Sequence, residues 1–451
     1  MFRLLYNLVF PFALVALLPA YLLRMVRRGN WRRGFGERFG HYTAETAGRL
    51  AALPSDDRMW IHAVSVGEVM LALKVIVELR RIRPKLPVIL TTTTTTGRAL
   101  ADQRVPTDVV VLYTPLDFPP FVRRAFDAIR PAHIALVEAE VWPNWMAAAA
   151  RRNVPVHLVN ARLSPRSELR FRGFSAVVAP IFRQLAWISV PESADLARWQ
   201  SIGLSAEKLH CLGSIKFDDA SESQESAGTT EFRTLLATAF PALSENRKSE
   251  IGNRKFLLAG STHADEELLL AHVLLALHSR FPTLRLLIAP RHVERTNAIA
   301  EALHALKLRV ARRSLLDPQF NLVDEPDVLL LDSTGELREW YPLTDVVFVG
   351  KSMSTEATGG QNPAEPIAAG VPAICGPHME NFADLMGSLL AAGGILQVSD
   401  ASQLEDRIGW LLGHPDECRN MVARGAEVLN RHGGAAARNA ELLLAGSVKA
   451  S

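Results

Sequence analysis

The sequence predicts an α/β protein of two Rossmann-like domains preceded by an apolar N-terminal helix. Three observations carry that expectation. Short apolar, β-rich runs alternate with longer helical patterns, as in parallel sheets. The alternation stops in a polar stretch near residue 218 and resumes near residue 256. And 451 residues are too many for one ordinary core.

The N-terminal element comes first. Leu4 to Leu23, LLYNLVFPFALVALLPAYLL, is an uncharged run of about the twenty residues that cross a bilayer core. Only Arg3 precedes it, whereas Arg24, Arg27, Arg28, Arg32 and Arg33 follow. That is the reverse of a cleavable signal peptide, and the positive-inside rule puts the following chain in the cytoplasm. The expectation is a membrane anchor with a basic skirt over residues 1–28. Pro11 and Pro19 kink the segment and leave open an interfacial helix that enters one leaflet.

In the first half the expected strands are Met59 to Val64, Val88 to Thr93, Val109 to Tyr113, Ile134 to Val137, Val156 to Asn160 and Trp187 to Val190. The polar runs DDASESQESAGTTE and SENRKSEIGNRK then read as linker and surface insertion. A second set follows: Phe256 to Gly260, Leu284 to Pro290, Asp327 to Asp332, Asp345 to Gly350 and Pro372 to Cys375. Open α/β sheets bind ligands at the carboxyl ends of their strands, so those ends carry most weight.

Bulk properties narrow the function. A formal charge of +3 is small for this length, so a nucleic-acid partner is not expected. Cys211, Cys375 and Cys418 show no C-x-x-C or metal spacing, which fits free thiols. There is no P-loop, no strand-anchored G-x-G-x-x-G and no D-x-D, so a metal held by neighbouring carboxylates is not indicated.

Several constellations bear chemistry. GFGERFG, Gly34 to Gly40, sets one carboxylate, Glu37, among glycines and aromatics; alone it reads as a loop acid paired with Arg32, Arg33 or Arg38. HAVSVGE places Ser65 where a helix N-terminus attracts anions, or where a serine merely caps it, and the run Thr91 to Thr96 closed by Gly97 repeats the arrangement around Thr94. VEAEVWPNW offers Glu138 and Glu140 as proton-transfer groups or solvated loop acids. NARLSPRS adds Arg162 and Arg166, suited to carboxylate or phosphate, or to surface ion pairs. GSTH and PRH close two strands of the second half, with Arg291 placed for a base or phosphate; His263 and His292 lack the third partner of a metal site. In GGQNPAEPIAAG the glycines give a tight turn, Asn362 caps, and Glu365 is suited to a ribose diol or to the helix dipole.

Taken in order, GERFG, HAVSVGE, TTTTTTG, VEAEVWPN, NARLS, GSTH, APRH, GELREWY, GGQNPAEP and CGPHMENF resemble the Kdo (3-deoxy-D-manno-octulosonic acid) transferases of lipopolysaccharide biosynthesis, over nearly the whole chain. The resemblance implies a GT-B glycosyltransferase on the cytoplasmic side of the inner membrane. It would move Kdo from CMP-Kdo to a lipid A precursor of the lipid IVA type, with inversion and with neither metal nor cofactor. By motif position Glu37 is the general base for the acceptor hydroxyl, a role an attacking alcohol requires. Gly260, Ser261 and Thr262 fall near the phosphate, Pro290 and Arg291 near the nucleotide, and Gly360, Asn362 and Glu365 about the ribose. Ser65, Thr94, Glu138, Arg162, Arg166 and Lys216 are candidates for the anionic sugar and the acceptor. The implied domains are 29–217 for acceptor, 218–255 as linker and insertion, and 256–451 for donor.

The chain departs from the family pattern at Gln361, where histidine is usual, at Lys351, where glycine is usual, at Ala264, and in a longer loop after Lys351. These departures keep two alternatives in view: a GT-B envelope enzyme using another nucleotide sugar, and a tethered scaffold without catalysis.

Overall fold

A computed structural model of the chain describes residues 2–28, 34–54, 56–138, 141–163, 165–221, 227–240, 254–317, 322, 324–354 and 358–445. The chain divides into two compact units, Met1–Asp218 with His432–Ser451, and Asp219–Arg431.

The first unit holds strands β1 (Met59–Ala63), β2 (Val88–Thr92), β3 (Val110–Tyr113), β4 (His133–Val137), β5 (Val156–Val159), β6 (Trp187–Val190) and β7 (Leu209–Cys211), in the order β3-β2-β1-β4-β5-β6-β7. Neighbouring strands pair in parallel. Both faces are covered: Trp60, Ile89, Leu136 and Leu158 enter one core, while Met59, Ile61, Val88 and Leu90 enter another. This is the period-2 side-chain alternation of a strand with apolar residues on both faces.

The second unit repeats the plan with β8 (Lys255–Thr262), β9 (Leu284–Pro290), β10 (Val310–Arg312), β11 (Val328–Leu330), β12 (Val346–Val349), β13 (Ala373–Cys375) and β14 (Leu396–Gln397), ordered β10-β11-β9-β8-β12-β13-β14. The expected strands are all present. Three short ones, β7, β10 and β14, were not anticipated; they lie at sheet edges, and pairing rather than a long apolar run defines them.

Three expectations need correction. Among the described residues no helix is long and apolar enough to cross a membrane, so the spanning anchor expected over Leu4 to Leu23 is not supported. The segment is helical, Phe2–Arg28, but one side of its first half is committed to protein. Phe10 stacks on Phe118 at 5.7 Å, Asn7 Oδ1 accepts from Asn144 Nδ2 at 2.7 Å, and the Tyr6 hydroxyl donates to Asp117. Groups used in this way interrupt the continuous apolar surface that a spanning helix presents to lipid.

Second, the stretch read as linker contains a helix, Ala227–Ala239, whose Phe232, Leu235 and Leu236 enter the core of the second unit. Third, the C-terminal helix Ala435–Ala445, expected in the donor domain, belongs to the first unit. Ala436, Ala440 and Leu443 pack in the core beside the helix Val66–Ile82, and the Asp218 carboxylate caps the helix by accepting the N–H groups of Ala435 and Ala436 at 2.8 and 3.0 Å.

Candidate active site

Glu37 sits on a 3-10 turn, Phe35–Phe39, bracketed by Gly34 and Gly40, both left-handed with φ of 68° and 73°. A Cβ on Gly34 would lie 2.9 Å from the Tyr113 ring, and one on Gly40 would lie 2.7 Å from Arg124 Cβ. The glycines therefore let the loop press against β3 and the helix Pro119–Ile129. That contact buries Glu37 to 5% exposure. Its Oε2 accepts the Tyr113 N–H at 2.7 Å and Arg98 Nη1 at 2.9 Å, while Oε1 has no protein partner among the described residues. Among the described residues the ion-pair partner is Arg98, 61 positions away in sequence. Arg38 turns to the Thr93 carbonyl at 2.9 Å and lies 4.1 Å from the Tyr113 ring centroid; Arg32 and Arg33 fall outside the described residues.

Ser65 and Thr94 are both occupied by their own helices. Ser65 Oγ accepts the Glu68 N–H at 3.4 Å and donates to Glu68 Oε1, while Glu68 Oε2 takes the Val64 N–H at 2.7 Å, a reciprocal capping box. Thr94 Oγ1 caps Thr95–Arg104 by accepting the Gly97 N–H at 3.0 Å. The bland reading holds for these hydroxyl contacts.

Glu138, Arg162 and Lys216 are brought together at the ends of β4, β5 and β7. Burial raises the Glu138 carboxyl, with Arg162 and Lys216 opposing. Burial of the ammonium end, then repulsion from Arg162, holds Lys216 down to about 8 against the attraction of Glu138, although much of the residue is exposed. Glu138 is itself left-handed, with φ of 65°. Asn160, also left-handed, fixes the neighbouring turn through Oδ1, which accepts the Ile215 N–H at 3.0 Å. Arg166 lies on the helix Pro165–Gly173, its side chain outside the described residues, as is Glu140.

In the second unit a cavity of about 340 Å³ is lined by Gly260, Ser261, Pro290, Arg291, Asn362 and Glu365, six of the expected donor residues. A bulge in β8 shapes its edge: Ser261 is left-handed at 55°, and the register shifts between Gly260 and Thr262. Gly350 permits this, because a Cβ there would lie 2.5 Å from the Ser261 carbonyl oxygen. Glu365 lies in the first turn of the short helix Ala364–Ala368; its Oε1 accepts Asn362 Nδ2 at 3.0 Å and its Oε2 accepts the Tyr341 hydroxyl at 3.4 Å. Burial first, then the Glu365 charge, pushes the Tyr341 phenol well above its usual range. Asn362 Oδ1 accepts the Ala364 N–H at 3.1 Å, so one amide both caps the helix and orients the acid.

Two expected donor residues do not line the cavity. Thr262 is fully buried, and its hydroxyl donates to Glu267 Oε1 at 2.9 Å, an acid also held by Arg295 at 2.9 and 3.1 Å. It ties the strand to the helix Glu266–Leu277 instead. Gly360 packs behind the turn, where a Cβ would lie 2.3 Å from Met379 Sδ. His263 and His292 meet edge to face at 5.6 Å, and among the described residues no group of three ligating side chains could hold a metal.

Sequence reasoning missed Arg98, Tyr341 and Glu266. Arg98 directly follows the TTTTTTG run, Tyr341 closes GELREWY, and Glu266 heads an acid pair directly after GSTHAD, a helix-start signal.

The sequence family described as 3-Deoxy-D-manno-octulosonic-acid transferase (kdotransferase) matches residues 33–219. The fold resembles that of UDP-GlcNAc 2-epimerase from Neisseria meningitidis, with TM-score 0.55 over 87% of this chain and 100% of that one; at 15% identity this is a likeness of fold alone. A 3-deoxy-D-manno-octulosonic acid transferase of Bordetella pertussis is 32% identical over 447 residues, 96% of this chain and 98% of its own length. One of Haemophilus influenzae is 32% identical over 423 residues, 93% of each chain. Identity sustained over such lengths shows that the chain belongs to the 3-deoxy-D-manno-octulosonic acid transferase family.

Proposed function

We propose that the protein transfers Kdo from CMP-Kdo to a lipid A precursor of the lipid IVA type, with Glu37 as the general base. The observation that carries this assignment is the state of the Glu37 carboxylate: one oxygen held by two donors, the other without a protein partner among the described residues. In the reaction the acceptor hydroxyl oxygen bonds to the anomeric carbon of Kdo as its proton passes to Glu37. The bond from that carbon to the CMP phosphate oxygen breaks, and CMP leaves as a phosphate monoester. Attack opposite the leaving group inverts the configuration.

The cavity of the second unit is the place for CMP. Asn362 and Glu365 offer an amide and a carboxylate to the ribose hydroxyls, while Arg291 and the backbone around Ser261 supply positive potential for the growing phosphate charge. Glu138, Arg162 and Lys216 form a second charged cluster suited to the sugar carboxylate or an acceptor phosphate. The first helix exposes Leu4, Leu5, Leu8, Val9, Phe12 and Val15, which supports its resting in one leaflet on the cytoplasmic face of the inner membrane.

The test is incubation with CMP-Kdo generated in situ and a tetra-acylated lipid A precursor, followed by mass spectrometry of the lipid. An added Kdo mass is expected. Folded, CMP-binding protein that adds nothing would overturn the proposal and favour another sugar or acceptor. Gln361 is the first residue to examine in that case, since its amide lies 3.4 Å from His263 Nε2 at the cavity.

A further inference from the structure

We infer that Arg98 is a positioning residue for Glu37: anchored by Asp102, it locks one carboxylate oxygen and so presents the other to the acceptor hydroxyl. The inference rests on Glu37 being the base of the transfer proposed above.

Arg98 lies in the second turn of the helix Thr95–Arg104, which follows the threonine-rich end of β2. Its Nη1 donates to Glu37 Oε2 at 2.9 Å, across 61 positions of sequence. One helical turn further on, Asp102 receives Arg98 Nε at 3.0 and 3.1 Å on its two oxygens. The guanidinium also lies 5.2 Å from the Tyr113 ring centroid. It is therefore held by an acid on one side and a ring on another, and offers Nη1 in a fixed direction.

The pair is shielded, with side-chain exposures of 13% for Arg98 and 7% for Glu37. That separates it from surface ion pairs such as Arg123 and Asp127, at 77% and 55%, which contribute little. A carboxylate has two equivalent oxygens and a soft terminal torsion. Arg98 and the Tyr113 N–H converge on Oε2 at 2.9 and 2.7 Å, which removes that freedom and makes the oxygens unequal. Positioning of this kind is what a base needs if its free oxygen is to meet a hydroxyl within hydrogen-bond reach.

The experiment compares Arg98→Ala, Arg98→Lys, Glu37→Gln and the double variant Arg98→Ala with Glu37→Gln. Each is assayed for transfer, CMP affinity and thermal unfolding. For Arg98→Ala, kcat is expected to fall roughly ten- to a hundredfold with the KM for CMP-Kdo and the CMP affinity unchanged. Millimolar guanidinium ion restores part of the loss, which a structural defect would not allow. Arg98→Lys keeps the charge without the fork and falls between wild type and Arg98→Ala. Because Arg98 acts through Glu37, the double variant is no slower than Glu37→Gln alone. Wild-type kcat in Arg98→Ala, or losses that multiply in the double variant, would overturn the inference. If Arg98→Ala does not fold, Arg98→Lys decides: a lowered kcat at unchanged KM supports it and a wild-type kcat overturns it. Normal transfer by Glu37→Gln is a separate result, since it removes the base assignment itself.

Discussion

The Glu266 carboxylate receives the Ser352 N–H at 2.8 Å. The same oxygen takes the Met353 N–H at 3.0 Å, and the other takes those of Lys351 and His263 at 2.7 and 2.9 Å. One buried acid thus joins the turn after β8 to the turn after β12, filling a nest of N–H groups as a bound anion would. These turns follow Ser261 and precede Gln361 in the wall of the cavity. Lys351 is meanwhile held left-handed, with φ of 59°, a conformation that glycine adopts most readily.

Removing that carboxylate should unfold the junction. Glu266→Ala leaves buried N–H groups unmet and is expected to cost about 3 kcal/mol or more in urea unfolding. Glu266→Gln keeps one acceptor oxygen and should cost less. A Glu266→Ala variant as stable as the wild type would contradict the role described.

Replacing Glu37, the proposed base, should separate chemistry from binding. Glu37→Gln is expected to lower transfer by about a hundredfold or more while CMP affinity and melting temperature stay near wild type. Single-turnover assays beside calorimetry with CMP measure both. Equal turnover by the variant would remove Glu37 from the reaction.

The cavity residues should behave in the opposite way. Glu365→Ala is expected to weaken CMP binding about tenfold, the effect of losing a charged hydrogen bond. Tyr341→Phe, which removes only the hydroxyl that orients Glu365, should weaken it less. Titration calorimetry decides, and an unchanged CMP affinity in Glu365→Ala would take the acid out of the nucleotide site.

Acid should destabilise the first unit through its buried histidines. Among the described residues both ring nitrogens of His157 lack a hydrogen-bond partner, and burial holds His157 down to about 3 and His62 to about 4. In the unfolded chain these rings titrate at about 6.5, so the unfolded state takes up protons first. Stability is full above about pH 6.5 and falls with pH until the folded values near 4 and 3 are reached. Asp117 acts in the other sense, because burial raises it to about 6: its contribution is present at low pH and is lost as pH rises through that value. His157→Phe keeps a ring against Trp187, 4.6 Å away, and isolates the histidine effect. The variant should lose about 3 kcal/mol less than wild type between pH 6.5 and 4. An identical pH profile would show that His157 carries no such penalty.

The sequence by itself determined the two alternating α/β halves, the carboxylate between two glycines, and six residues of the cavity wall in the second unit. These are local properties: period-2 apolar runs, glycines that permit positive φ, and an Asn-Pro helix start are legible over a few residues. Tertiary structure decided which partner each group has. Glu37 pairs with Arg98, 61 positions away, because β2 and β3 lie side by side and bring the helix Thr95–Arg104 over the loop. Thr262 faces inward because a bulge turns the strand, although it sits beside Ser261 in the same motif. The last helix returns to the first unit because Asp218 caps it and its alanine and leucine face fits the core beside the helix Val66–Ile82. Pairing between residues far apart in sequence follows from strand order and packing, and no local pattern encodes either.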